Sequence, residues 1–374
     1  MSIGFAQKCW IWFADRRDAD LNSKAEIIER FGSAEAVFNA PAGALAALEG
    51  VSERSAEALK ERSLERAEEI IRLCEEKNIQ ITTFDDAAYP ASLKEIYAPS
   101  YVLYVRGKLP DFEASPAVAV IGTRKASPYG LKMGRSIAAE LCEGGASVIS
   151  LLSAGIDAKA AEGALEAGGQ CIGVLGTAID AANGALAKSV CASGALVSEY
   201  APGTPYRKNH FRERNRIAAG MACAVAVIEA PEKSGTRLFV AEALEQGKEI
   251  FALPGNADSE SSSGTLRFIK EGATLVTSGR EIISELAPAY RGRMVPKKTI
   301  DKPKADCYIG ITEKKTDLPP EQAGIFKAID SGCASVDAII EKTGLPASTV
   351  LSQLTMLQIA GLVRKEPGKG FTVR

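Results

Sequence analysis

Five cations fall within ten residues of this chain: Arg207, Lys208, Arg212, Arg214 and Arg216. Tyr206 and Phe211 are interleaved with them, as is His210, the only histidine among 374 residues. Guanidinium groups offer paired donors to phosphate oxygens, and an aromatic face offers a platform for a base. These residue types at this spacing suit polyanion binding. A solvated loop leading into an Arg-rich helix start would carry the same residues, so the rest of the chain must decide.

Three more loops bear on that choice. In AVAVIGTRKASPYG (117–130) a strand ends at Gly122, and Thr123, Arg124 and Lys125 form a turn. Ser127 then stands as a helix N-cap with Pro128 at the first helical position. Free backbone N–H groups at such a start favour an anion, and Arg124 adds a charge there. In SLLSAGID (150–157), Asp157 is placed to cap the helix over Ala158–Ala167. In EAPEKSGTRLFVAEAL (229–244), Glu229 closes a strand, and Ser234, Gly235 and Thr236 open a helix beside Lys233. Three phosphate-receptive loops on one sheet edge favour the polyanion reading.

Other chemistries lose support. A single histidine excludes a His-based metal centre and argues against a Ser-His-Asp triad. The eight cysteines are scattered without a C-x-x-C, so neither a disulfide framework nor a zinc site is expected. No G-x-G-x-x-G follows a strand and no G-x-x-x-x-G-K-[ST] occurs, which argues against NAD and ATP; no cofactor is expected. The net charge is only −2, so nucleic-acid affinity must come from a local patch. With 46% hydrophobic and 25% charged residues, no apolar run of 18 and no signal-peptide pattern before residue 30, a soluble cytoplasmic protein without membrane contact is expected.

The loops need a scaffold, and the length suggests two to three domains. Apolar runs at 117–121, 147–150, 171–175, 195–198, 224–228, 249–253 and 274–276 alternate with helical segments. Continuous apolar strands between helices indicate a doubly wound, Rossmann-like parallel sheet, with its ligand at the strands' carboxyl ends. That α/β domain is assigned to residues 81–287. Residues 1–80 read as a helical domain, with helices at 25–31, 44–48, 56–64 and 65–77. Within it LEGVSERSAEAL (48–59) resembles a helix-hairpin-helix, but Ser52 replaces the second glycine and Glu49 and Glu53 add negative charge. A structural or protein-contact role is the expectation.

Residues 288–316 hold three prolines and eight Lys/Arg against three Asp/Glu, which reads as a basic linker. Residues 317–374 suggest three helices and a glycine-tipped ribbon, the pattern of a winged helix-turn-helix. The formal charge of this tail is about zero, so DNA binding and protein contact both stay open.

The chain resembles the DprA/Smf family of DNA-processing proteins over roughly residues 75–290, with weaker likeness at both ends. The resemblance rests on VIGTRKASPYG, GALEAGGQCIGVLGTAID, SEYAPGTP with FRERNRIAAG, EAPEKSGT with ALEQGKEIFALPGN, and SGTLRFIKEGATLV. It implies a Rossmann-like core that binds single-stranded DNA in a basic pocket, forms a homodimer and hands DNA to the RecA recombinase. That activity serves uptake of transforming DNA and recombination, with no catalytic step. By the same resemblance Gly122, Thr123 and Arg124 form the G-[ST]-R loop. Lys208 and Phe211 form the K-x-x-F pair, with Phe211 stacking on a base. Arg214, Asn215 and Arg216 form the RNR segment, and Lys233, Ser234 and Gly235 the K-S-G turn.

The chain departs from the family at four positions. Leu151 replaces a glycine, Ala154 an arginine and Ala161 a histidine, while Arg212 stands where a proline is usual. Arg212 and Lys159 are the cations that could restore the lost charge. An alternative reading is an enzyme acting on nucleoside monophosphates, of the related phosphoribohydrolase-like fold. Gly235, Thr236 and Glu242 partly echo its P-G-G-x-G-T-x-x-E loop, without the double glycine and with the acid too far along. A third is transcriptional regulation through the tail.

Overall fold

The computed structural model describes residues 3–41, 43–290, 319–331, 333–359, 362–366 and 370–373. Short polar side chains set the helix starts of the N-terminal segment. Asp20 accepts from the Ser23 N–H at 2.8 Å, Ser33 accepts from Ala36 N–H at 3.1 Å, and Ser52 accepts from Ser55 N–H at 3.2 Å. Each satisfies an amide that the first helical turn leaves without a partner. The helices are α1 (Phe5–Asp15), α2 (Leu21–Phe31), α3 (Ala34–Asn39), α4 (Glu53–Ala58) and α5 (Glu65–Glu76). Residues 44–48, expected as helix, form turns, and α1 and α3 join the helices that the pattern gave.

One nine-stranded sheet follows, in the order β1-β2-β6-β5-β4-β3-β7-β8-β9. Its strands are β1 (Gln80–Thr83), β2 (Val102–Gly107), β3 (Ala117–Ile121), β4 (Ser147–Ser150), β5 (Cys171–Val174), β6 (Ala195–Ser198), β7 (Ala224–Val227), β8 (Glu249–Ala252) and β9 (Thr274–Leu275). The strands from β6 to β9 are parallel, as the apolar runs imply, and β3 to β7 are buried along their whole length. β2 and β1 extend the sheet in antiparallel sense. The helices of the sheet segment are α6 (Ala91–Lys94), α7 (Pro128–Glu143), α8 (Ile156–Glu166), α9 (Ala185–Ser193), α10 (His210–Met221), α11 (Thr236–Glu245), α12 (Ser263–Lys270) and α13 (Gly279–Leu286).

The chain steps outward from β3 to β6, then returns across β5, β4 and β3 to start β7. α10 makes that return and packs on β3, β4 and β5. The strand order reverses between β3 and β7, which is where doubly wound sheets open a crevice for ligands. One face of the sheet packs Ile121, Ile149, Val174 and Val227 against Ile217 of α10 and Phe239 of α11. The other packs Val118, Val120 and Val148 against Ile137 and Leu141 of α7. Trp10, Phe13, Ile27 and Ile70 of the N-terminal helices belong to that second cluster, so they share a core with the sheet.

The chain divides into two compact units, Met1–Ile300 and Asp301–Arg374. The basic linker expected at 288–316 lies outside the described residues from 291 onward. The second unit contains α14 (Pro320–Asp330), α15 (Val336–Thr343), α16 (Ala347–Ile359) and the antiparallel ribbon β10 (Val363–Glu366) and β11 (Gly370–Val373). Ile325, Ile339, Leu354, Leu357 and Phe371 form its core, the arrangement of a winged helix. α16 carries no charged side chain and exposes Leu351 and Met356.

Among the described residues no helix is long and apolar enough to cross a membrane.

Candidate nucleic-acid interface

The loops after β3, β4, β6 and β7 all leave the sheet at the carboxyl ends of parallel strands. Hydrogen bonds tie the first loop to the second and to the one after β7. Gly122 N–H donates to Asp157 Oδ1 at 3.2 Å, Thr123 N–H to the Glu229 carbonyl at 2.8 Å, and Ile156 N–H to the Thr123 carbonyl at 3.3 Å. Gly155 has φ of +85°, and a Cβ there would lie 2.4 Å from the Thr123 carbonyl oxygen. Only glycine fits that backbone and that approach. Arg124 is left exposed at the tip of the first loop.

The helix start at Ser127 is not open to a ligand in the way the sequence suggests. Ser127 caps α7 as expected, accepting from Gly130 N–H at 3.0 Å. The Glu229 carboxylate already occupies the anion position beside it. It accepts from Ser127 N–H at 2.9 Å and from the Ser127 and Ser261 hydroxyls at 2.5 and 3.1 Å. A carboxylate at a helix N-terminus is stabilised by the same amides and dipole that would hold a phosphate. The protein supplies its own anion, and Glu229 is more than the end of a strand.

The basic segment divides into two groups. Arg207, Lys208 and Arg212 are exposed, while Arg214, Asn215 and Arg216 are 3%, 8% and 5% exposed. The RNR segment therefore departs from its expected place on a ligand-facing surface. The physical reason is the return path of α10, which covers three strands and is buried continuously from Arg214 to Met221. Arg214 donates to the carbonyls of Leu151 and Val174 at 3.1 and 2.6 Å, tying α10 to the ends of β4 and β5. Burial pulls its guanidinium down to about 10, with the Asp157 carboxylate opposing. Arg216 pairs with Glu199, whose side chain is 13% exposed.

Phe211 stays at the surface, 39% exposed, in the first turn of α10. It rests against Tyr206, with ring centroids 5.8 Å apart, and the Arg214 guanidinium lies 5.9 Å from its ring. Beneath it passes the loop after β5, where a Cβ on Gly176 would lie 3.0 Å from the Phe211 Cα. His210 is buried instead, stacked on Tyr200 with centroids 3.9 Å apart, and burial lowers its pKa. A ring in that position packs; it does not ligate.

In the third loop Lys233 and Gly235 are exposed. The Ser234 hydroxyl is enclosed and has no hydrogen-bond partner among the described residues. No side chain caps α11, so its first amides face the loop. Lys159, by contrast, pairs with Glu162 at 2.6 Å, and Ala154 leaves the second loop without a cation. Arg124, Lys125, Lys208, Arg212 and Lys233 are exposed and hold no ion pair among the described residues. Glu242 lies six residues beyond the start of α11, about 9 Å along its axis, and accepts from Gln246 at 3.1 Å. It does not meet the Ser234–Thr236 turn as an enzyme acid would need to.

Residues 80–287 match the family described as DNA recombination-mediator protein A, and residues 312–369 match the DprA winged helix domain. The Smf protein of Synechocystis sp. is 33% identical over 324 residues, covering 80% of this chain and 81% of that protein. The solved structure of DNA processing protein A from Streptococcus pneumoniae superposes with a TM-score of 0.61 at 30% identity. It covers 76% of this chain and 99% of its own. A Helicobacter pylori structure, described as a single-stranded DNA binding mode of DNA processing protein A, gives a TM-score of 0.50 at 25% identity, with coverage of 56% and 97%. With its Rossmann-like sheet, its winged helix and the family match over more than half its length, this chain belongs to the DprA/Smf family of DNA recombination mediators.

Proposed function

We propose that the chain binds single-stranded DNA along the carboxyl edge of its sheet and passes it to the RecA recombinase during DNA uptake and recombination. One observation carries this reading: exposed cations without ion pairs among the described residues, and an exposed aromatic, stand on loops and a helix start at the carboxyl edge of one sheet. Arg124, Lys208, Arg212 and Lys233 would neutralise phosphates, and Phe211 would stack on a base. Gly235 would allow close backbone approach and the Thr123 and Ser234 hydroxyls would donate, since the Gly122 and Thr123 amides are taken by Asp157 and Glu229. The Helicobacter pylori relative, whose description is single-stranded DNA binding, supports the same choice of ligand.

In this reading the protein acts in the cytoplasm by binding alone, with no cofactor and no catalytic step. Recognition through phosphate and stacking is sequence-tolerant. The test is fluorescence anisotropy of a labelled oligo-dT against its duplex, followed by RecA filament formation on the same oligonucleotide. Preference for the single strand and faster filament growth support the reading; equal affinity for the duplex contradicts it.

A homodimer is part of the proposal. β9 is an edge strand of two exposed residues, and Leu275 on it is 49% exposed, a surface that a second copy could cover. Light scattering of Leu275→Asp tests this: a monomer supports that edge as the interface, and an unchanged dimer removes it.

A further inference from the structure

Two side chains of the N-terminal helical segment bear on adjacent residues of the basic loop, Arg17 directly and Lys77 through Asp180. Arg17, in the turn between α1 and α2, donates to the Thr204 hydroxyl and to Asp15 Oδ1, the latter at 2.8 Å. Its guanidinium also sits 6.0 Å from the centre of the Tyr200 ring. Lys77, just beyond α5, pairs with Asp180, whose other carboxylate oxygen accepts from Gly203 N–H at 3.1 Å. Gly203 and Thr204 lie four or five residues before Lys208 in the same loop.

The hold continues into α10. Tyr200 stacks on His210, and its hydroxyl donates to Glu213 at 2.8 Å. Glu213 in turn accepts from Asn209 at 2.6 Å. The residues on either side of Lys208 and Phe211 are thus fixed, and the outermost fixings come from Arg17 and Lys77. Both cations are already engaged by carboxylates, Lys77 by Asp180 and Arg17 by Asp15, which Arg66 shares at 3.5 Å.

We propose that Arg17 and Lys77 are positioning residues that hold the 200–209 loop in its binding geometry, so that single-stranded DNA affinity depends on a segment that does not touch DNA. This rests on the DNA-binding reading above. The expected signature separates positioning from contact. A cation that neutralises a phosphate contributes about one unit to the slope of log affinity against log salt, and a positioning residue contributes none.

The experiment compares wild type with Arg17→Ala, Thr204→Val, the double variant and Lys77→Ala, by oligo-dT anisotropy across a salt series. Arg17→Ala is expected to weaken binding about fivefold to tenfold with the salt slope unchanged. The double variant should lose less than the sum of the two single losses, because both remove the shared Arg17–Thr204 bond, while Thr204→Val also removes the bond to the Ala201 carbonyl. Lys77→Ala, a change at a more exposed site, should weaken binding in the same way. Hydrogen exchange without DNA should speed up at 200–209 in Arg17→Ala while β3 to β7 stay protected.

A slope reduced by about one would make Arg17 a phosphate contact and overturn the proposal. Unchanged affinity, or additive losses in the double variant, would overturn it too. If wild type bound no single-stranded DNA, the functional reading itself would fail. The exchange measurement would then still show whether the two cations hold the loop.

Discussion

Glu229 sits in the N-terminus of the helix that Ser127 caps, taking both the Ser127 amide and its hydroxyl from 102 residues away. The contact sets an internal anion beside the start of α7 at the switch point between β3 and β7. A phosphate approaching this edge must therefore be held by Arg124 and the neighbouring loops and not by the α7 amides.

Glu229→Ala is expected to remove about 1–2 kcal/mol of stability, since it leaves the half-buried Ser127 donors without that acceptor. Inorganic phosphate should then raise the melting temperature of the variant more than that of wild type, because the helix start becomes free for an anion. Thermal unfolding with and without phosphate measures both effects.

Arg216→Ala is expected to destabilise the fold by about 2–4 kcal/mol, because the largely enclosed Glu199 would lose its partner. Protein that stays folded should keep the wild-type salt slope for DNA, since this guanidinium faces Glu199. Denaturant unfolding and anisotropy of the same preparation give the two numbers.

Asp157 supplies a pH dependence. Burial pushes its carboxyl up to about 7, while Arg214, the Gly122 N–H and Ser153 pull it down. Between about pH 4 and 7 the folded state then holds a proton that the unfolded chain has released. The native state binds more protons in that window, so this group's contribution to stability falls as pH rises through it and is level above about 7. The fall amounts to at most about 4 kcal/mol. Asp157→Asn should flatten the difference in unfolding free energy between pH 5 and pH 8.

Much of the scaffold was legible because its strands are continuous apolar runs, which only a sheet covered on both faces can bury. The Ser127 cap and the Pro128 start were legible for local reasons, whereas Asp157, expected to cap its helix, lies inside the first turn of α8 behind Gly155 and accepts from Gly122 N–H instead. β1 was not legible, since Gln80–Thr83 is short and mostly polar, and its pairing with Val102–Val105 sets its place.

The fate of the basic segment was also beyond local reading. Arg212 and Arg214 look alike in sequence, yet one is exposed and the other tied to two carbonyls, because α10 must cross β5, β4 and β3. Long-range pairs were invisible for a simpler reason. Arg17 and Thr204 lie 187 residues apart, and no periodicity links them.

The most direct test of the account is the salt dependence of oligo-dT binding by Lys208→Ala beside wild type. Lys208 is exposed and has no ion pair among the described residues, so its loss should leave the fold intact. The account predicts weaker binding and a salt slope smaller by about one. Wild-type affinity with an unchanged slope would place the DNA elsewhere and contradict it.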